Sequence, residues 1–261
     1  MFSALYAPLL ILLFALILRA VALEFRGKLP NPLWRKKWDR MLFLSSLVPA
    51  LILGVFFTNL FIGIPIDQDG VYHGNLLMLL NPYALMGGIF FLSLFCLHGA
   101  LWVAFKSVGM VHARTVALAK KLWVLTLLLA IIYLGMTALN TDFFHKPHAY
   151  APLVIAVIGL LCVRFFLGAD RLIEAFLSNV VMILGTTFFG FIGIFPNLLQ
   201  SNLSPEFSLN IYNAASSPLT LKIMLGITIC VVPVVLIYQW WVYRLFSHKI
   251  TDRDLNGPGA Y

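Results

Sequence analysis

The chain has 261 residues, 61% of them hydrophobic and 11% charged, with a formal net charge of +8 and a mean hydropathy of +0.95. Soluble domains carry about 25% charged residues, so these charges are too few to cover this much apolar surface in water. The composition excludes a soluble enzyme and predicts an integral membrane protein.

A bilayer span needs about 20 mostly apolar residues. Seven segments qualify: 2–23, 41–63, 83–105, 119–139, 151–168, 172–195 and 219–246. They predict an all-α, polytopic bundle forming one integral membrane domain over 1–261. The first segment, MFSALYAPLLILLFALILRA, has no cation before its apolar run, and Arg19 follows that run. This pattern is that of a genuine span rather than a secretory signal. Next comes EFRGKLPNPLWRKKWDR, with Arg26, Lys28, Arg35, Lys36, Lys37 and Arg40 beside Trp34 and Trp38. The cations read as topology anchors, the Trp pair suits the membrane interface, and Pro30 and Pro32 are expected to break the helix. Anionic lipid contact follows from the same cations, and no nucleic-acid role is implied.

Further along, Pro49 and Pro233 are expected to kink spans two and seven. Asn59 and Asn179 are polar residues within spans, read as interhelical hydrogen-bonding groups. His98 lies mid-span in FCLHGALW without a second His or Met at ligand spacing, so an interhelical contact is favoured over haem ligation. The small residues Gly87, Gly88, Gly99 and Ala100 are expected to permit close helix approach. Cys96, Cys162 and Cys230 sit inside apolar runs and show neither metal spacing nor a disulfide framework.

The 18 Lys and Arg residues divide unevenly between the two sides. The connections after spans one, three and five, with the C-terminal end, hold all of them except Lys146 and Lys222. The positive-inside rule then places the N-terminus outside and the C-terminus in the cytoplasm. An odd number of spans agrees with that.

Ionisable residues at or within spans suggest function. Glu24, at the inner end of span one, has two readings: an interfacial acid paired with Arg26 or Lys28, or an acid at the mouth of a proton path. No P-loop, nucleophile elbow or H-E-x-x-H motif occurs. No catalytic residue or metal site is read from the chain, which looks more like one partner of a complex than a self-sufficient enzyme.

The order of segments resembles subunit II of the cytochrome bd-type quinol oxidases over nearly the whole chain. The likeness is carried by LRAVALEFRGK (18–28), WRKKWDRMLFLSSLVPALILGVFFTNLFIGIP (34–65) and GNLLMLLNPYALMGG (74–88). It continues through HGALWVAFKSVGMVHARTVALA (98–119), ASSPLTLKIM (215–224) and VVPVVLIYQWWVYRLF (231–246). The family's first two spans, with their G-F-D-type and H-W-D-G-N-Q-V-W-type segments, have no counterpart here, and Met1 aligns near the family's third span. The resemblance implies a subunit of a respiratory oxidase in the bacterial inner membrane. The complex oxidises quinol, reduces dioxygen to water and generates a proton gradient. It implies subunit I as partner, with small accessory membrane subunits as further candidates. The b-type haems and haem d are expected in subunit I, with no haem ligand on this chain; a quinone is a further candidate ligand. Glu24 matches the acid of the family's F-[DE]-[FY]-R segment, which favours its proton-path reading. Two alternatives remain open at this point: a transporter of an unrelated family, which would need a polar pathway built from Glu24, His98, Asn59 and Asn179, and a non-catalytic membrane scaffold.

Overall fold

The structure, a computed structural model, describes residues 2–247 and 249. Arg253, one of the inner-side cations, lies outside the described residues. Seven helices dominate: α1 (Phe2–Arg26), α2 (Pro32–Ile62), α3 (Pro82–Lys106), α4 (Gly109–Asn140), α5 (Tyr150–Gly168), α6 (Leu172–Ile194) and α7 (Pro218–Leu245). All seven are long and apolar enough to cross a membrane.

One local device starts three of these helices. Asn31, Asn81 and Ser217 are N-caps whose side chains accept from Leu33, Ala84 and Thr220 N–H groups, and each is followed by Pro at the first helical position. The cap satisfies an orphan donor, and proline's fixed φ suits that position, where its missing N–H costs nothing. Pro32 therefore begins α2 rather than breaking it, and the turn is confined to the residues before it.

Five spans fall within three residues of their expected limits at each end, and two begin much earlier. The segment expected at 41–63 is helical from Pro32, and that expected at 119–139 is helical from Gly109. At 31 and 32 residues, α2 and α4 are about 46–48 Å long, against a hydrocarbon core of about 30 Å. The excess lies at the cation-rich end. Hydropathy marks only the part in lipid, whereas the helical backbone continues into water. Arg35, Lys36, Lys37 and Arg40 thus stand on a helix, not in a loop. Pro8, Pro49 and Pro233 are accommodated inside α1, α2 and α7.

Helices α1 to α4 pack on their sequence neighbours, α5 packs closely on α6, and α3 also meets α6. Lipid tails are as apolar as leucine, so burial alone does not drive this association; close contact and polar pairs do. A side chain on Gly54 would drive its Cβ against Gly87 O, and one on Gly185 would bring its Cβ within 2.6 Å of Ala156 N. These glycines let α2 approach α3 and α5 approach α6 at backbone distance. Gly99 departs from its expected role: a Cβ there would meet nothing within 4 Å. It faces outward from α3.

The end opposite the cations is closed by loops. A short antiparallel pair, β1 (Asn197–Leu199) with β2 (Leu209–Asn210), lies beside the segment after α2, where Ile64 bridges Ser201. Beneath it Leu5, Leu60, Ile64, Ile66, Leu79 and Leu199 form a buried cluster. The last helix, α7, stands apart, with none of its residues buried. It touches the bundle at its inner end, where Lys106 Nζ donates to Phe246 O at 2.7 Å and Trp102 meets Tyr243 edge-on at 5.9 Å.

Candidate functional site

The cytoplasmic rim is built where α1 meets α2. Glu24 lies on the last turn of α1, exposed, and pairs with Lys28 at 2.7 Å. Arg26 turns instead to Asp39 on α2, at 2.6 Å. Trp34 Nε1 donates to Phe25 O at 2.8 Å, and Trp38 packs on both Phe25 and Trp34 with ring centroids 5.5 Å apart. Aromatic rings and ion pairs thus lock the α1–α2 hairpin at one level. Glu24 stays at the water-facing edge, where a carboxylate can exchange protons with bulk solvent.

Within the bundle, Asn179 Nδ2 lies 3.0 Å from His98 Nδ1, joining α6 to α3. Asn179 is fully buried and its Oδ1 has no partner among the described residues. Flipping the amide would only transfer the deficit to its nitrogen, so one buried polar atom stays unpaired either way. The His98 ring also packs on Phe176, with centroids 4.7 Å apart. Asn59 works at the outer end. Its Nδ2 donates to Leu79 O at 2.8 Å and its Oδ1 accepts from Asn81 at 3.0 Å, which ties α2 to the cap of α3.

A hydroxyl seam along α4 was not read from the sequence. Thr126, Tyr133 and Thr137 bond to Ser93 at 2.6 Å, Thr58 at 3.0 Å and Tyr83 at 2.8 Å. The signal was present, because these α4 positions recur at intervals of seven and four residues on one helical face. Lys146 was likewise seen only as an outer cation. It donates to Gly193 O at 2.6 Å and Phe195 O at 2.9 Å, capping the last turn of α6. Burial pulls its pKa below the usual lysine value, against an opposing pull from Asp142. In the outer loop, the His73 hydrogen bond, then the Val71 amide, holds the Asp67 carboxyl below the usual carboxylate range.

A cavity of about 220 Å³ is enclosed among helices α2 to α6, lined by Phe57, Phe91, Tyr133, Leu160, Met182 and Phe189 among others. Its walls are almost wholly apolar, so it suits an apolar guest. His98 engages Asn179 through Nδ1, which leaves its Nε2 for any other partner, and among the described residues no group of three or more His, Cys, Asp or Glu side chains is placed to hold a metal ion.

The family model described as "Cytochrome bd terminal oxidase subunit II" matches residues 1–246. The chain belongs to that family. It is 31% identical to "Cytochrome bd ubiquinol oxidase subunit 2" of Bacillus subtilis (strain 168), over 97% of this chain and 76% of that protein. It is 27% identical to "Cytochrome bd-I ubiquinol oxidase subunit 2" of Escherichia coli (strain K12), with the same coverage. A "Probable cytochrome oxidase subunit 2" of Haemophilus influenzae is 31% identical over 93% of this chain and 73% of its own length. As a member of the cytochrome bd subunit II family with seven span-forming helices, the chain is a multi-pass protein of the bacterial inner membrane. The family match takes in the α1–α2 rim, the His98–Asn179 pair and α7 alike.

Proposed function

We propose that this chain serves as subunit II of a cytochrome bd-type quinol oxidase, packing in the membrane against a haem-bearing subunit I. The observation that carries the reading is the family match over residues 1–246, borne by a bundle in which no metal-holding group is found among the described residues. Helix α7 supports it, since it touches its own chain only near its inner end among the described residues and leaves most of its apolar surface available to another protein. In this reading the haems of subunit I supply the redox chemistry that oxidises quinol and reduces dioxygen to water. This chain contributes apolar packing, shields that centre from water, and offers an apolar route for dioxygen through the cavity beside Tyr133. Glu24 serves as an entrance for protons drawn from the cytoplasm; its position on the inner rim and its exposed pair with Lys28 support that role.

The test is co-purification with the candidate subunit I, followed by reduced-minus-oxidised spectra and quinol-dependent oxygen uptake. The expected result is a stable complex with haem spectra and oxygen consumption. A chain that never retains such a partner would overturn the proposal.

A further inference from the structure

Helix α1 faces α2 through a stripe in which residues 5, 8, 12, 15, 19, 22 and 26 recur every three or four positions. Ala15 is 6% exposed and Ala22 fully buried on that stripe. Between them stands Arg19, whose long side chain escapes the seam and is exposed. It has no hydrogen-bond or ion-pair partner among the described residues, whereas Arg26 meets Asp39 and Glu24 meets Lys28.

Depth makes this cation unusual. Arg19 is seven residues, about 10 Å along the helix, membrane-ward of Arg26. The antiparallel register fixed by Arg26–Asp39 and Phe25–Trp38 sets it level with Ser45 and Ser46 of α2. It therefore lies below the aromatic layer of Phe25, Trp34 and Trp38, inside the apolar part of α1. A long cation near a helix end ordinarily reaches back to the headgroups. Here the direction opposes that. Side chains on a helix lean toward its N-terminus, and the N-terminus of α1 is at the outer side. The Cα–Cβ bond of Arg19 thus starts toward the bilayer centre, away from the inner-leaflet phosphates.

We propose that Arg19 forms an intramembrane ion pair with a carboxylate on a transmembrane helix of the haem-bearing partner, fixing where α1 seats on that subunit. The inference rests on the subunit II reading above and names one contact within it. Charge complementarity supplies the class of occupant: an unpaired guanidinium in hydrocarbon is satisfied by a carboxylate that presents two acceptors to its fork. A carboxylate on a helix side can meet it at that depth, as a headgroup phosphate at the surface cannot without the side chain doubling back.

The experiment co-expresses the full chain with its subunit I and measures subunit I retained per chain after purification. Arg19→Leu is expected to lower retention at least about tenfold. Arg19→Lys is expected to keep an intermediate level, because it retains the charge and loses the fork. Chain levels in the membrane without the partner should match wild type for both variants. Substituting the intramembrane Asp and Glu residues of subunit I one at a time should find one whose loss mimics Arg19→Leu. Exchanging the two charges, with Arg19→Glu and that acid replaced by Arg, should restore retention even if Arg19→Leu inserts poorly. Wild-type retention by Arg19→Leu overturns the inference. So does a variant that loses only co-purified anionic phospholipid by native mass spectrometry, which would assign Arg19 to lipid phosphate. If wild-type chain itself retains no subunit I, the subunit II reading fails instead.

Discussion

Single residues carry separable consequences. Glu24 is exposed at the inner rim and bonded to Lys28, so its charge is not needed to hold α1 on α2; Arg26–Asp39 does that. An exposed i,i+4 pair contributes only about 0.3–0.5 kcal/mol. Glu24→Gln is therefore expected to leave assembly near wild type while slowing quinol-dependent oxygen uptake. Equal turnover at saturating quinol would reduce Glu24 to an interfacial acid. The His98–Asn179 bond behaves differently, because removing one partner strands the other in a buried site. His98→Leu is expected to cost about 1–2 kcal/mol of stability. Combining it with Asn179→Leu should cost less than the sum of the two, with a coupling of about 0.6–1.7 kcal/mol. Thermal unfolding of the four variants in detergent measures that coupling. The sequence marked His98 and Asn179 as separate polar residues in spans but could not pair them, because they are 81 positions apart and meet only once α3 packs on α6. Arg19 is the converse case. As a member of the cation count it looked ordinary, and only its place on the α1 seam, without a partner, sets it apart.

At the scale of elements, the bundle rests on close backbone approach more than on its polar bonds. Membrane hydrogen bonds average about 0.6 kcal/mol each, whereas forcing packed backbones apart costs about 1–3 kcal/mol. Gly54→Ala would drive a methyl against Gly87 O, so it is expected to lower stability by that larger amount. Gly99→Ala, with nothing within 4 Å of its Cβ, should change the isolated chain by less than about 0.5 kcal/mol. The two variants, compared by thermal unfolding in the same detergent, separate a contact glycine from an outward one. Number and order of the helices were legible in the sequence, since hydropathy follows directly from the bilayer. Helix ends were not. The cytoplasmic extensions of α2 and α4 are polar and carry no hydropathy signal, and their starts depend on the Asn31–Pro32 cap and on a positive φ at Gly109. Nor could the sequence tell Gly87 from Gly99, because the same small residue serves a seam or an outward face according to which side of α3 it occupies.

The molecule as a whole packs α1 to α6 into one bundle, with two regions that bear on a partner. The α1–α2 hairpin carries an unpaired Arg19, and α7 is tethered to the bundle near Lys106 and Trp102. Both regions expose broad apolar surface. That surface, with membership of the subunit II family, agrees with the proposed role as one subunit of a complex. The most direct measurement purifies the chain with its subunit I from membranes and records haem difference spectra and quinol-dependent oxygen uptake on the same sample. Stoichiometric retention of the partner, with haem bands and oxygen consumption, is the predicted result. A chain recovered alone from membranes in which subunit I is present and haem-loaded would contradict it.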